Sequence, residues 1–333
     1  MKNKILSYIV IVMILFLSGC GGSSSSVKTV YPNESSQTDA HDTSAATVSS
    51  SPESVVAEEK IGAYSLLYPS KTVKKLPLIL FLPGWGSQNP EDYRTLIDFM
   101  VQKGNIVFFA PEYGDEYGSN HIIEEFETIY QKSKLRSYFD TSRLGVVGHS
   151  SGGGKAYRVF DYFTQKGWGK NGSFILSMAP WFAFDMGEKE MQRLPETAYF
   201  MTLLFSEDMS TDIRIPMTIY SMLSHIPKNH KTFYIYQNPN ASHNYPGGTP
   251  ALSALEGVTE PLLALMQISF YHESERFLYY DIHGSDQPWS DYAAVIKPSY
   301  MYEYDCFADQ GAAEDPIYTA LFRYGVDYCA IFP

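Results

Sequence analysis

The chain has little cysteine, a deficit of basic charge and no apolar run of the roughly 20 residues that cross a bilayer. Only three cysteines occur in 333 residues. That excludes a small disulfide-framed domain, and no Cys/His cluster has zinc spacing. Lys and Arg number 25 against 37 Asp and Glu, giving a net charge of −12. A charge-driven partnership with nucleic acid or anionic lipid is therefore not expected. There is no His-Glu-x-x-His helix and no repeat of fixed period. The expectation is a monomer that needs no metal and no cofactor. Aromatic residues, by contrast, make up 15% of the chain, enough for an aromatic binding surface, a tyrosine-rich core or both.

The two ends read differently from the middle. Lys2 and Lys4 precede an apolar run, Ile5 to Phe16, and Leu17-Ser18-Gly19-Cys20 follows. The run is too short to span a bilayer and ends in small residues, as a signal peptide does. It resembles a bacterial lipobox. That resemblance implies a signal peptide over 1–19, a lipid on Cys20, export, and anchoring to the cell envelope (the outer membrane in a Gram-negative organism). Residues 20–59 are rich in Ser, Thr, Asp and Glu without apolar periodicity. Such a stretch cannot bury enough surface to offset chain entropy and reads as a disordered tether. Residues 60–333 suffice for one large domain, with an irregular aromatic appendage from about 279. Cys306 and Cys329 would bond in an oxidising compartment, contributing roughly 3 to 4 kcal/mol in the chain-entropy model.

Within the domain, short β-rich runs alternate with helical spacings. Ala63 to Tyr68 alternates like an antiparallel strand. Leu76 to Leu82, Asn105 to Ala110, Leu144 to Val147, Phe174 to Met178, Met201 to Phe205 and Thr232 to Tyr236 are continuous apolar runs, as in parallel strands buried on both faces. Asp92 to Gln102, Ile122 to Tyr138 and Pro261 to Leu278 carry apolar residues at helical spacing. The fold class expected is α/β: a doubly wound, mostly parallel sheet with helices on both faces. Chemistry in such sheets sits at the carboxyl ends of strands.

Gly148-His149-Ser150-Ser151-Gly152 follows one of those strands and precedes a helical run. The pattern G-x-S-x-G between strand and helix lifts a nucleophilic serine out of the sheet on a sharp turn. Ser150 is the expected nucleophile. It needs a base, an acid and oxyanion donors. Of the later histidines, His225 and His230 precede the last strand, His272 lies in a helical run, and His283 lies in the appendage. His243 sits in a turn-rich loop after Thr232–Tyr236, where a base belongs. The acid is expected in the loop after Phe205, with Asp208 favoured over Asp212; Asp212 also suits a helix N-cap. Donors for the oxyanion would be the backbone N–H groups of Ser151 and Trp85, with Gly86 the alternative to Trp85.

Four segments carry a family resemblance: Leu82-Pro83-Gly84-Trp85, Arg143 to Ser150, Ala179-Pro180-Trp181 and Ser242-His243. They resemble the polyester-hydrolase, cutinase-like and dienelactone-hydrolase-like branch of the α/β-hydrolases. The acid loop, Glu207 to Asp212, departs from that pattern. The resemblance implies the α/β-hydrolase fold and an aromatic cleft in which Trp85 and Trp181 hold an ester substrate, small or polymeric. It implies a serine esterase with a Ser-His-Asp triad and an acyl-enzyme. Two alternatives are a phospholipid acyl hydrolase or peptidase on the same triad, and a surface lipoprotein that keeps the fold for binding alone.

Overall fold

The segment Leu76–Leu82 is apolar and buried at every position, as a strand covered on both faces must be. It lies at the centre of the sheet. The computed structural model of the chain describes residues 55–113, 118–273, 322–323 and 326–328. The strands are β1 (Val56–Ile61), β2 (Tyr64–Pro69), β3 (Leu76–Leu82), β4 (Ile106–Phe109), β5 (Phe139–His149), β6 (Ser173–Met178), β7 (Tyr199–Phe205) and β8 (Lys231–Tyr236). A separate two-strand ladder pairs β9 (Phe322–Arg323) with β10 (Val326–Asp327). The helices are α1 (Arg94–Gln102), α2 (Asn120–Lys132), α3 (Ser151–Gln165), α4 (Glu188–Met191), α5 (Arg214–Met222) and α6 (Glu256–Tyr271).

The main sheet has the order β1-β2-β4-β3-β5-β6-β7-β8. From β4 to β8 every pairing is parallel. Only β1 and β2 run antiparallel to their neighbours. The architecture is thus α/β with a mostly parallel sheet. Alternation along β3 assigns its two faces. Leu78, Leu80 and Leu82 join a core with Phe126, Phe160 and Ile215 from α2, α3 and α5. Ile79 and Phe81 join a second core with Leu96, Met100, Val258 and Leu262 from α1 and α6. Each such side chain, fully buried, stabilises the fold by about 1.5–3 kcal/mol. Chain order reverses at β3, which lies between β4 and β5. The crevice at the carboxyl ends of strands flanking such a reversal is the usual ligand site.

Three expected boundaries need correction. Strand β1 begins at Val56, inside the stretch 20–59 expected to be tether. Its polar side chains hid it: Glu58 accepts a hydrogen bond from Ser65 at 2.6 Å, and Glu59 one from Ser133 at 2.7 Å. Helix α2 stops at Lys132 rather than running to Tyr138. There Ser133 turns extended, and its hydroxyl accepts the Leu135 N–H at 2.9 Å in competition with the helix. Helix α6 starts at Glu256, five residues before Pro261, and His272 ends it in the left-handed region at φ 60°.

Of the appendage expected from about 279, residues 322–323 and 326–328 are described. Tyr328 is fully buried. Its ring packs edge-on to Phe182 at 4.9 Å, and its hydroxyl accepts the Ala183 N–H at 3.3 Å. Cys20, Cys306 and Cys329 lie outside the described residues. Among the described residues, no helix is long and apolar enough to cross a membrane.

Candidate active site

Ser150 joins β5 to α3 with φ 54° and ψ −119°. A non-glycine residue held there stores on the order of 1–3 kcal/mol of strain. The surroundings impose it. Ser150 N–H donates to Met178 O at 2.9 Å, and Ser150 O accepts from Trp181 N–H at 2.8 Å. The flanking glycines permit close approach. A Cβ on Gly148 would lie 2.3 Å from Gly152 O, and one on Gly152 would lie 2.1 Å from Leu82 O. Only glycine lets the elbow fit this tightly against β3.

The structure brings Ser150, His243 and Asp208 together. His243 Nε2 lies 3.0 Å from Ser150 Oγ, and His243 Nδ1 lies 2.9 Å from Asp208 Oδ2. A carboxylate can only accept, so the proton of neutral His243 is on Nδ1. Nε2 then accepts from the serine hydroxyl. Asp208 is buried, which alone would raise its pKa. The hydrogen bond and charge of His243, with the N–H groups of Ser210 (2.7 Å) and Thr211 (3.1 Å), outweigh that and hold it below 3.8. The carboxylate is thereby kept ionised.

Asp212 does something else. It is buried and grips Arg214 through Nε at 3.0 and 3.1 Å and through Nη2 at 2.5 Å. It also accepts the Arg214 N–H at 2.9 Å, a cap-like contact at the start of α5. Two other candidate bases, His225 and His230, stay outside the cluster. His225 Nε2 bonds Leu194 O at 2.9 Å and His230 Nδ1 bonds Glu196 O at 2.7 Å. His283 lies outside the described residues.

Ser151 is the first residue of α3, so no upstream turn of the helix supplies an acceptor for its N–H. The facing loop, Gly84 to Ser87, closes on itself through Ser87 N–H to Gly84 O at 3.1 Å. Gly84 N–H is taken by Tyr93 Oη at 3.0 Å. The next amides along this loop are those of Trp85 and Gly86, the two expected oxyanion donors. Trp85 is 62% exposed. Trp181 is half-buried, edge-on to Phe182 at 5.0 Å. Both tryptophans line a cleft of about 660 Å³ that also contains Ser150, His149, His243, Glu91 and Asp92.

Sequence reasoning missed Tyr93, His149, Glu112 and Lys155. Lys155 of α3 and Glu112, after β4, form a buried ion pair beneath the elbow. Glu112 N–H also donates to Ser87 O at 2.8 Å. His149 is buried between Tyr93 and the His243 loop. Burial, then the neighbouring His243, push its pKa down to about 3. Burial pushes Tyr93 up to about 12 against the favourable Gly84 N–H. The one available signal was a histidine just after the apolar run Leu144–Val147, at the end of a parallel strand. Compared with known families and curated proteins, the chain matches no family profile and no curated sequence.

Proposed function

We propose that this protein is a serine hydrolase of the α/β-hydrolase fold that cleaves carboxylic esters, exported and lipid-anchored to a bacterial envelope through Cys20. The observation that carries the reading is the chain of contacts from Ser150 Oγ through His243 to Asp208 at 3.0 and 2.9 Å, on a strained elbow at a helix start.

The chemistry follows from those contacts. Ser150 Oγ attacks the ester carbonyl while His243 Nε2 takes its proton. Asp208 fixes the Nδ1–H tautomer and stabilises the imidazolium that forms. The Ser151 N–H and that of Trp85 (or Gly86) stabilise the tetrahedral oxyanion. His243 returns the proton to the leaving alcohol, giving an acyl-enzyme. Water, deprotonated by the same histidine, releases the acid. Trp85 and Trp181 supply large apolar walls for the substrate.

The lining favours neutral esters over phospholipids. Among the described residues of the cleft there is no Lys or Arg, whereas Glu91 and Asp92 line it. A phosphate group there would meet like charge. Labelling with a fluorophosphonate probe tests the reading. Wild-type protein should react at one serine, and Ser150→Ala should not. Undiminished labelling of a folded Ser150→Ala variant overturns it, and no labelling of wild type favours a binding module.

A further inference from the structure

A relay of hydrogen bonds, buried at Gly84, Tyr93 and His149 Nδ1 and partly buried at His243, links the two halves of the candidate site. Gly84 N–H donates to Tyr93 Oη at 3.0 Å. Tyr93 Oη lies 2.7 Å from His149 Nδ1, and His149 Nε2 lies 2.8 Å from His243 O. The direction is fixed at both ends. A backbone amide can only donate and a carbonyl can only accept. So Tyr93 donates its hydroxyl proton to Nδ1, and His149 carries its own proton on Nε2. Tyr93 and His149 are both buried.

The junction is also tight. A Cβ on Gly84 would lie 3.2 Å from Tyr93 Oη and 3.3 Å from His149 Nδ1. The rings of Tyr93 and His149 meet edge-on at 5.8 Å, and those of His149 and His243 tilt together at 4.8 Å. Neighbours of Tyr93 grip the same base loop. Asp92 O accepts Gly248 N–H at 2.5 Å, and Thr95 Oγ1 donates to Pro250 O at 2.8 Å.

We propose that Tyr93 and His149 form a strut that sets the spacing between the oxyanion loop at Gly84–Trp85 and the catalytic base His243. This rests on the esterase reading above. Neither residue takes part in proton transfer to or from the substrate; both are positioning residues. The strut has consequences because donor and base must both meet one tetrahedral centre. A displacement of about 1 Å at either can cost on the order of 100-fold in rate. Removing one link leaves two buried polar groups unsatisfied, so the geometry has no equivalent alternative.

The test is Tyr93→Phe in the full chain, assayed on p-nitrophenyl butyrate beside wild type and Ser150→Ala. The ring and its packing remain while the hydroxyl is lost. The strut predicts a kcat about 10- to 100-fold lower, with KM within about twofold of wild type because the apolar walls at Trp85 and Trp181 are kept. His149→Gln should behave likewise. The double variant should be no worse than the poorer single one, since both cut one connection. Should Tyr93→Phe not fold, His149→Gln and His149→Asn carry the same kcat-against-KM test. A kcat within twofold of wild type, a loss confined to KM, or multiplying losses in the double variant overturns the strut while leaving a Ser150-dependent esterase intact. Absence of Ser150-dependent turnover in wild type overturns the esterase reading, and the strut with it.

Discussion

Two aspartates four residues apart should fail in opposite ways. Asp208→Asn keeps size and the acceptor oxygen for the Ser210 and Thr211 N–H groups, at 2.7 and 3.1 Å. It removes the charge that faces His243 Nδ1 at 2.9 Å. The imidazole is then free to take the wrong tautomer, which in a triad costs about 10⁴ in kcat. Asp212→Asn keeps an acceptor for Arg214 N–H but places a neutral amide against a buried guanidinium that the carboxylate now grips at 2.5 to 3.1 Å. Breaking a buried ion pair from one side costs about 3 kcal/mol at the lower end of the usual range. That exceeds the roughly 1 kcal/mol of a lost cap. At about 2–4 °C per kcal/mol for a domain of this size, the melting temperature should fall by about 6–12 °C. Thermal melts and p-nitrophenyl ester turnover below the lower melting temperature separate the two. Asp212→Asn should turn over within severalfold of wild type. If it loses activity while folded, or if Asp208→Asn keeps it, the assignment of the acid is refuted.

Acid should destabilise the protein through His149. Its folded pKa of about 3 lies below the unfolded 6.5, so the contribution is complete above pH 6.5 and is lost as pH falls toward 3, at about 1.4 kcal/mol per pH unit. Asp208 adds its loss only below 3.8. Urea midpoints at pH 7, 5.5 and 4.5 should therefore fall less steeply in His149→Gln, and equal slopes would contradict the burial argument. Trp181→Ala should lower kcat/KM about tenfold more for a benzoate than for an acetate ester, through lost aromatic contact; a fall in melting temperature with an unchanged ratio would mark a packing role instead. Gly152→Ala places a Cβ 2.1 Å from Leu82 O and 2.4 Å from Pro83 O. Those atoms are backbone and cannot swing aside, so melting should show destabilisation beyond the usual 1–3 kcal/mol of overpacking; a wild-type melt and turnover would show that the elbow can relax.

Much of this site was legible because it is built from local signals. The apolar runs at Leu76–Leu82 and Phe174–Met178 are buried at every position, and continuous burial leaves a continuous pattern. The elbow is a local motif, and His243 follows a strand end, so both could be placed from chain order. The acid was harder because Asp208 and Asp212 share one loop. Only the partner decides between them, and Arg214 against His243 is a three-dimensional fact. Strand β1 escaped because its charged side chains are satisfied at a sheet edge rather than excluded from it. The Tyr93–His149 relay was illegible for a related reason. Its residues lie 56 positions apart, and Tyr93 looks like any apolar residue at helical spacing. Tyr328 reaches the core just after a two-residue strand that is too short to leave a pattern.

The most direct measurement is a pre-steady-state burst with a p-nitrophenyl ester, followed by acid quench and peptide mass analysis. A nitrophenol burst of about one equivalent per protein is expected whenever deacylation is the slower step. An acyl adduct should form on the peptide that carries Ser150, and none in Ser150→Ala. Turnover undiminished in a folded Ser150→Ala variant, or an adduct on another residue, would contradict the claim that Ser150 is the nucleophile.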